Sequence, residues 1–359
     1  MEKMRIAAIA TVVGLGIASG NTAAADVTVV MSGLDNPRGL AFSPNGALYV
    51  TEAGRGGAGP CPLNGAGESR CYGPTGAITR LWKGVQERVV EGLPSHALPD
   101  GTSAGGPNRI SFQGTGGAYV TLGLGGGPTF QDAYGAAGEL MGTLIHVATS
   151  GQWRIVADVA SYEFAANPDG GVPDSNPFGV LAEAGARYVA DAGANALFRV
   201  AASGKIETVA VFPRVPHPAF PPGPPLAEAV PTSIARGPDG ALYVGQLTGF
   251  PFASGVASIY RVVPGQAPVV HCTGFTTILD IAFAPDGDIL VVENASGSAL
   301  PPFPPNSGRL LRVKDDCSRS TVYAPLDRPT AVAVGSGGSL YVTNHGVSAG
   351  TGEVLKITP

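Results

Sequence analysis

The sequence predicts an all-β fold: a six-bladed β-propeller of four-stranded antiparallel blades, with the last blade closed by the N-terminal strand. The first supporting observation is a repeat, for which PRGLAFSPNGALYVTE (residues 37–52) is the template. Six copies follow one another at intervals of 47 to 70 residues, beginning near Pro37, Pro107, Pro177, Pro231, Ile278 and Pro329. Periods of roughly 40 to 50 residues with four strands each are typical of propeller blades.

The second observation is a turn motif between the first two strands of several copies, PNG at 44–46 and PDG at 238–240 and 285–287. Proline holds φ at about −65° and glycine adopts the positive φ of a tight turn, so the motif predicts a hairpin. Alternating polar and apolar residues predict two further strands after each hairpin. Third strands are expected at 76–81, 142–147, 196–200, 258–262, 309–313 and 353–357, and fourth strands at 86–90, 153–157, 206–210, 268–271 and 320–323.

The third observation concerns the two ends of the repeat array. The sixth copy lacks a fourth strand, whereas residues 27–31 form an unassigned strand before the first copy. We expect this strand to complete the last blade, because ring closure protects the strand edges that an open array exposes. A parallel β-helix or a stacked solenoid is the alternative, and four strands per repeat with a split last repeat disfavour it.

Residues 1–25 predict export. Lys3 and Arg5 precede an apolar run at 6–17, and three alanines at 23–25 precede Asp26. This is the pattern of a secretory signal peptide cleaved before Asp26, which leaves residues 26–359 as the propeller domain. A membrane anchor is the alternative, but the run falls short of the ~20 apolar residues that a spanning helix needs. We therefore expect a secreted or periplasmic protein with no membrane span after cleavage.

The composition fits a chain of turns and buried strands, with 53 Gly, 32 Pro and 14% charged residues. Hydrophobic residues make up 44% of the chain, which is enough to build a core and argues against disorder. The net charge of −5 and the lack of a clustered basic stripe exclude nucleic acid as a partner.

Four cysteines in an oxidising compartment predict two disulfides. Cys61 and Cys71 bracket a Gly-rich loop and are paired first, which leaves Cys272 with Cys317 as a link between neighbouring blades. Three connectivities remain open on sequence grounds. A zinc site is disfavoured because the spacing lacks a C-x-x-C pair and an accompanying histidine pair.

Polar residues are expected to collect on one face of the ring, where the first strands begin and the second strands end. The second strands are expected to end at Glu52, Leu122, Asp191, Gln246, Glu293 and Asn344. The leading candidates for binding a hard cation such as Ca²⁺, or a polar ligand, are Glu52, Asn176, Asp191, Gln246, Glu293 and Asn344, with Arg38, Asn108, Arg109 and Asp280 as secondary candidates. The alternative, weighed equally, is that such side chains hydrogen-bond loop backbone or face water.

Long insertions are predicted over the same face, at 53–75, 123–141 and 247–257, and insertions on a rigid scaffold often bind ligands. Two more occupy 162–176 and 212–231. The last contains His217 among seven prolines and predicts a stiff polyproline-type arm. We interpret this arm as a lid or spacer in preference to a ligand for a partner protein.

Catalytic motifs are sparse. GTSAG at 101–105 matches G-x-S-x-G but precedes a strand, whereas a nucleophile elbow needs a strand-to-helix turn. The five histidines show no H-E-x-x-H pairing, and no Walker or Rossmann pattern has its required context.

Several segments resemble the ScyD/ScyE family of exported propellers, which is related to the NHL-repeat group. The matching segments are GLDNPRGLAF at 33–42, CYGPTGA at 71–77, NPDG at 167–170, DSNP at 174–177, DAGAN at 191–195 and GQLTGFP at 245–251. The resemblance covers essentially the whole chain after residue 25. It implies a propeller, and it transfers no set of catalytic residues.

Two functions follow as hypotheses. The leading one is an extracytoplasmic, monomeric propeller that binds a small molecule, a cation or a protein at its tunnel mouth. The alternative is a lactonase- or strictosidine synthase-like enzyme in which an axial Ca²⁺ polarises a carbonyl. Its ligands would be Glu52, Asn176, Asp191, Glu293 and Asn344. A scaffold acting through the proline arm is a third possibility.

Overall fold

The chain folds into six four-stranded antiparallel sheets arranged as the blades of a propeller, which confirms the predicted fold. The structure, a computed structural model, describes residues 26–216, 226–296 and 303–358. The predicted signal peptide at 1–25, and the part of the proline arm at 217–225 that contains His217, lie outside the described residues.

The first half of the chain contains the N-terminal strand and blades one to three. The strands are β1 (Asp26–Leu34); β2 (Pro37–Phe42), β3 (Leu48–Glu52), β4 (Cys71–Trp82) and β5 (Val85–Ala97) in blade one; β6 (Pro107–Phe112), β7 (Ala118–Leu122), β8 (Thr143–Val147) and β9 (Trp153–Asp158) in blade two; and β10 (Pro177–Glu183), β11 (Ala186–Asp191), β12 (Ala196–Ala201) and β13 (Ile206–Val211) in blade three. Helices α1 (Pro128–Asp132) and α2 (Val159–Ala166) and a 3₁₀ turn (Gly135–Leu140) lie in the connections of blade two.

The second half completes the ring. A two-stranded ribbon, β14 (Val215–Pro216) and β15 (Leu226–Ala227), precedes blade four. The remaining strands are β16 (Pro231–Arg236), β17 (Leu242–Gln246), β18 (Ala257–Val262) and β19 (Val269–Phe275) in blade four; β20 (Ile278–Phe283), β21 (Ile289–Glu293), β22 (Gly308–Val313) and β23 (Arg319–Leu326) in blade five; and β24 (Val332–Val334), β25 (Leu340–Asn344) and β26 (Gly352–Thr358) in blade six, which also has a 3₁₀ turn (Ser336–Gly338).

The N-terminal strand closes the ring as predicted. β1 pairs antiparallel with β26, with Val27 opposite Ile357 and Asp26 opposite Thr358. Met31 and Leu34 are buried with residues of blades one and six, so the strand seals the seam between the first and last blades. Burial of such apolar side chains stabilises a fold by about 1.5–3 kcal/mol each.

The sequence predicted the strand bounds of the inner hairpins closely. Five first strands begin where the predicted repeat copies begin, and all six second strands end at the predicted residues. The sixth first strand begins at Val332 instead of Pro329. The reason is that the Thr330 and Ala331 amides donate to Thr343 Oγ1, at 2.9 and 2.8 Å, so ladder pairing starts only at Val332.

Both predicted disulfides are present. Cys61–Cys71 closes the insertion of blade one, and Cys272–Cys317 joins β19 of blade four to the turn that precedes β23 of blade five. None of the helices in the described ranges is long and apolar enough to span a membrane.

Candidate binding site at the tunnel mouth

A buried ion pair fills the axis of the ring. Arg109 on β6 approaches Asp280 on β20, the first strand of the opposite blade, with 3.6 Å between Nη2 and Oδ1. The same guanidinium donates to the carbonyl oxygens of Arg38, Leu279 and Thr330, which belong to blades one, five and six. Asp280 Oδ2 in turn accepts the Val332 amide at 2.9 Å. One arginine on blade two thus contacts the inner segments of three other blades, one, five and six.

Close packing of the first strands places Arg109 on the axis. Gly39, its equivalent in blade one, would carry a Cβ only 2.6 Å from Asn108 O and 2.9 Å from Arg109 Cα. Only glycine allows β2 and β6 to approach this closely. Burial lowers the pKa of Arg109 and raises that of Asp280, while the opposite charge of the partner works against each shift.

The polar side chains at the ends of the second strands accept hydrogen bonds from backbone amides of their own blades. Four of the six accept an amide from the segment that leads into the first strand, one or two positions before it in blades one, three and five and five positions before it in blade six. The pairs are Asp35 N to Glu52 (2.7 Å), Asn176 N to Asp191 (2.6 Å), Thr276 N to Glu293 (2.6 Å) and Asp327 N to Asn344 (2.7 Å). Gln246 accepts the amide of Ser258 at 3.0 Å. These side chains therefore fix the segments that enter blades one, three, five and six.

Two of the carboxylates also point away from the ring axis, toward arginine side chains on the fourth strand of blade one and the third strand of blade five. Glu52 accepts Arg88 Nη2 at 2.7 Å, and Glu293 accepts Arg309 Nε. Asp191 accepts Ser175 Oγ at 2.6 Å. The predicted convergence of Glu52, Asp191 and Glu293 on the axis does not occur: within the described residues, no three carboxylates have oxygens within 4.8 Å of one another.

The axial residues therefore do not fit a calcium ion. A cation site needs oxygen ligands that are free to bind it, whereas Glu52, Asp191 and Glu293 already accept hydrogen bonds. Asp280, a carboxylate that does reach the axis, is paired with Arg109 and accepts the Val332 amide. No step of an axial metal mechanism is supported by this arrangement.

Three of the predicted residues do meet, in a cavity of about 180 Å³ at the mouth of the tunnel. Arg38, Asn108 and Asn176 line it. A Cβ at Gly123 would lie 2.6 Å from Asn108 Nδ2 and 2.7 Å from Asn176 Oδ1, so this glycine leaves room for the two amides to flank it. Arg109 and Asp280 line a separate axial cavity of about 160 Å³, which shares no lining residue with the mouth.

The mouth cavity is positively charged. Arg38 donates to Ala104 O at 2.6 Å and to Gly346 O at 3.0 Å. In the part of the chain that the structure describes, no carboxylate lies within ion-pair distance of it. Burial, together with the charges of Arg109 and Arg70, lowers the pKa of Arg38 to about 10. Carbonyl oxygens hold the Arg38 guanidinium in place but leave its charge uncompensated, whereas Arg109 and Arg70 are paired with Asp280 and Glu68.

His96 forms a neutral wall of the same cavity. Its Nε2 lies 2.9 Å from Leu124 O, so Nε2 carries the proton and Nδ1, which is buried without a partner, does not. Burial, followed by the charge of Arg70, lowers the pKa of His96 to about 4. The ring packs against Phe130 and Tyr134, with centroids 5.9 and 5.8 Å away.

A larger crevice of about 800 Å³ adjoins the mouth, and Asn64, Gly125 and Phe130 line both. Its rim has exposed apolar side chains, Leu63 at 64% and Val172 at 87% of full exposure. A crevice of this volume is in the range of small-molecule sites, whereas the mouth alone accommodates only a small polar group.

The crevice has an acidic side under the 167–175 loop. Burial, reinforced by the neighbouring carboxylates, raises the pKa of Glu163 to about 8. The same causes raise the pKa of Asp174 to about 6, and burial raises that of Asp191 to about 6. This side of the crevice therefore contrasts with the arginine-lined mouth.

The insertion of blade one supplies residues that sequence reasoning missed. Arg70 donates to Ser103 O at 2.6 Å and pairs with Glu68, and Tyr134 OH donates to Arg70 O at 3.0 Å. The Cys61–Cys71 bond holds this loop at the mouth. Nothing in the repeat pattern marks Arg70 or His96, because both lie outside the aligned inner hairpins. The disulfide was the available signal that the loop is fixed.

No protein-family model matches the sequence, and no curated protein is significantly similar to it. Solved structures are similar in fold. They include a proposed oxidoreductase (glucose dehydrogenase) from Thermus thermophilus, with TM-score 0.55, 17% identity and coverage of 93% of this chain and 100% of that chain. A luciferin-regenerating enzyme has TM-score 0.54 and 11% identity, with coverage of 94% and 96%.

Regucalcin from Agrobacterium tumefaciens, a calcium-binding protein, has TM-score 0.51 and 15% identity, with coverage of 92% of this chain and 94% of that chain. These neighbours are six-bladed propellers of the NHL and gluconolactonase-like kinds. The similarity shows the fold alone. Similar propellers host unrelated chemistries, so function has to be argued from the site.

Proposed function

We propose that this protein is an exported, ScyD/ScyE-like propeller that binds a small molecule, holding an anionic group of the ligand at the tunnel mouth. The proposal rests on Arg38. Its guanidinium group lines the mouth cavity beside Asn108 and Asn176 and has no acidic partner among the described residues. A carboxylate or phosphate matches the planar donor set of arginine.

The crevice supports the size of the proposed ligand. The mouth cavity of about 180 Å³ suits one anionic group, and the adjoining crevice of about 800 Å³ suits the remainder of a small molecule. Phe130 lines both spaces, and Leu63 offers apolar surface at the crevice rim. A carboxylic acid with an apolar body therefore matches both parts of the site better than a bare cation does.

Thermal melting with acetate, benzoate and inorganic phosphate tests this proposal on the mature protein. We expect at least one of these anions to raise the Tm, because a ligand that binds only the folded state stabilises it by mass action. Arg38→Gln should abolish the rise and Arg38→Lys should retain part of it.

Arg319 offers a matched control. It also donates to two carbonyl oxygens, those of Thr273 and Gly274, and belongs to no described ion pair, but it lies on the outer strand of blade five. Arg319→Gln should keep the anion response. An equal response in Arg38→Gln and wild type would contradict the proposal.

The enzyme alternative has its own test. Lactone hydrolysis by the purified protein, lost on chelation and restored by Ca²⁺, would support it independently of anion binding.

The monomeric state and the binding of protein partners also stay proposals. Sedimentation of the mature protein, alone and mixed with a partner, measures them directly.

A further inference from the structure

Helix α2 places a glutamate under the 167–175 loop. Asp158 caps its N-terminus by accepting the Ser161 amide at 2.9 Å, and Asn167 ends it in the left-handed conformation, at φ 40° and ψ 61°. Glu163 and Asn167 are four residues apart, so their side chains lie on the same face of the helix end. Glu163 is 0% exposed.

Four oxygen atoms around this face lack hydrogen-bond partners among the described residues. They are both Oε atoms of Glu163, Oδ1 of Asn167 and Oδ1 of Asp174, and all four are buried. A buried carboxylate with neither oxygen satisfied is costly, because desolvation is not repaid by a partner. The Asp174 amide points toward Glu163 but does not reach hydrogen-bond geometry with either oxygen.

The neighbouring carboxylates Asp169 and Asp191 already accept hydrogen bonds, so only the four unpartnered oxygens are available as ligands. Asp169 accepts Gly171 N at 2.8 Å and Asn195 Nδ2 at 2.8 Å. Asp191 accepts Ser175 Oγ through Oδ2 and backbone amides through Oδ1. These two carboxylates therefore add negative potential around the face of α2, but their oxygens are already hydrogen-bonded and are not counted as ligands.

A glycine keeps space beside the third ligand. A Cβ at Gly193 would lie 2.6 Å from Asp174 Oδ1, so any larger residue would displace that carboxylate. Asn167 is held by its other amide atom, Nδ2, which donates to Gly171 O at 2.9 Å and leaves Oδ1 free. The loop thus fixes the positions of the ligands while their oxygens stay unbound.

We propose that Glu163, Asn167 and Asp174 form a divalent-cation site, best suited to Ca²⁺, beside the crevice and separate from the tunnel mouth. All its ligand atoms are hard carboxylate or amide oxygens, which Ca²⁺ binds six to eight at a time in flexible geometry. Asp174 lines the crevice, so the site lies directly beneath the crevice wall. The site is independent of Arg38 and stands whether or not the mouth binds an anion.

Calorimetric titration with CaCl₂ of the chelator-treated mature protein tests the site, with thermal melting as a second measurement. We expect saturable binding of one Ca²⁺ and a rise in Tm with Ca²⁺ concentration. Glu163→Gln and Asp174→Asn should each weaken binding at least about tenfold, since loss even of outer-shell partners has effects of that size. Asp174→Asn is the second variant in case Glu163→Gln does not fold.

Glu228 provides the matched control. It lies in the same acidic region, but its carboxylate is paired with Arg214 at 2.7 Å and with Asn195 at 2.9 Å. Glu228→Gln should bind Ca²⁺ as the wild type does. The proposal is overturned if the wild type binds no Ca²⁺ at millimolar concentrations, or if Glu163→Gln and Asp174→Asn both keep wild-type affinity.

Discussion

Arg109 and Asp280 approach each other across the ring axis, with 3.6 Å between Nη2 and Oδ1, and both line the axial cavity, which shares no lining residue with the tunnel mouth. Asp280 is a carboxylate that reaches the axis, and Arg109 compensates its charge there.

Removal of Arg109 should destabilise the fold more than neutralisation of Asp280. Arg109→Met leaves a buried carboxylate and three carbonyls without their donor, so we expect a loss of about 3–5 kcal/mol in unfolding free energy. Asp280→Asn keeps the carbonyl contacts of Arg109 and should cost about 1–3 kcal/mol. Urea unfolding of both variants measures the difference. Losses below about 1 kcal/mol in both would contradict the tie across the axis.

Ring closure by β1 predicts a contrast between two neighbouring positions on that strand. Met31 is 1% exposed and Val29 is 55% exposed. Met31→Ala should cost about 2–5 kcal/mol, because it leaves a cavity between blades one and six. Val29→Ala should change stability by less than about 0.5 kcal/mol. Thermal and urea unfolding report the values, and equal effects would show that β1 does not seal the seam.

The two disulfides should differ in their effect on the mouth. Replacing Cys61 and Cys71 by Ser should cost about 2–4 kcal/mol and weaken anion binding, because the bond fixes the loop that carries Arg70. Replacing Cys272 and Cys317 should cost stability while leaving anion binding intact, since that link lies between blades four and five. Loss of the anion response in the second variant alone would contradict the assignment of the mouth to the first loop.

His96 predicts a loss of stability in acid. Its pKa in the fold is about 4, against 6.5 unperturbed, so between these values the unfolded chain binds a proton that the folded chain does not. The contribution of His96 to the unfolding free energy should therefore fall by roughly 3 kcal/mol as the pH drops from 6.5 toward 4. Asp174 and Asp191, whose pKa values in the fold are about 6, contribute in the opposite direction, so the difference between wild type and a His96 variant isolates this effect. His96→Gln, which can still donate to Leu124 O, should flatten that part of the profile. Parallel profiles for the variant and wild type would remove His96 as the cause.

The blade pattern was predictable because it follows local rules. The turn motif, seen at Pro44 to Gly46, marks where the first strand of a blade turns into the second. Along each strand, the alternation of polar and apolar residues separates exposed from buried positions. The same rules give the end of β3 at Glu52 but not the direction of its side chain. That direction depends on Arg88, which reaches Glu52 from the fourth strand through tertiary packing.

The binding site was predictable only in part for a related reason. Arg38, Asn108 and Asn176 lie at strand starts, whose position follows from the repeat, and the structure brings them together. Arg70 and Glu163 lie in insertions that have no counterpart in the other blades, so no repeat position marks them. Their roles depend on loop conformations fixed by a disulfide and by a helix end.

Anomalous diffraction from crystals of the mature protein grown in sodium bromide tests the central claim, an anion site at the mouth, most directly. Bromide is a scattering anion that should replace the ligand's charged group. The account predicts a bromide peak in the mouth cavity beside Arg38, Asn108 and Asn176, which is absent in crystals of Arg38→Gln. A mouth cavity without bromide in wild-type crystals, or an equal bromide peak there in Arg38→Gln, would contradict the account.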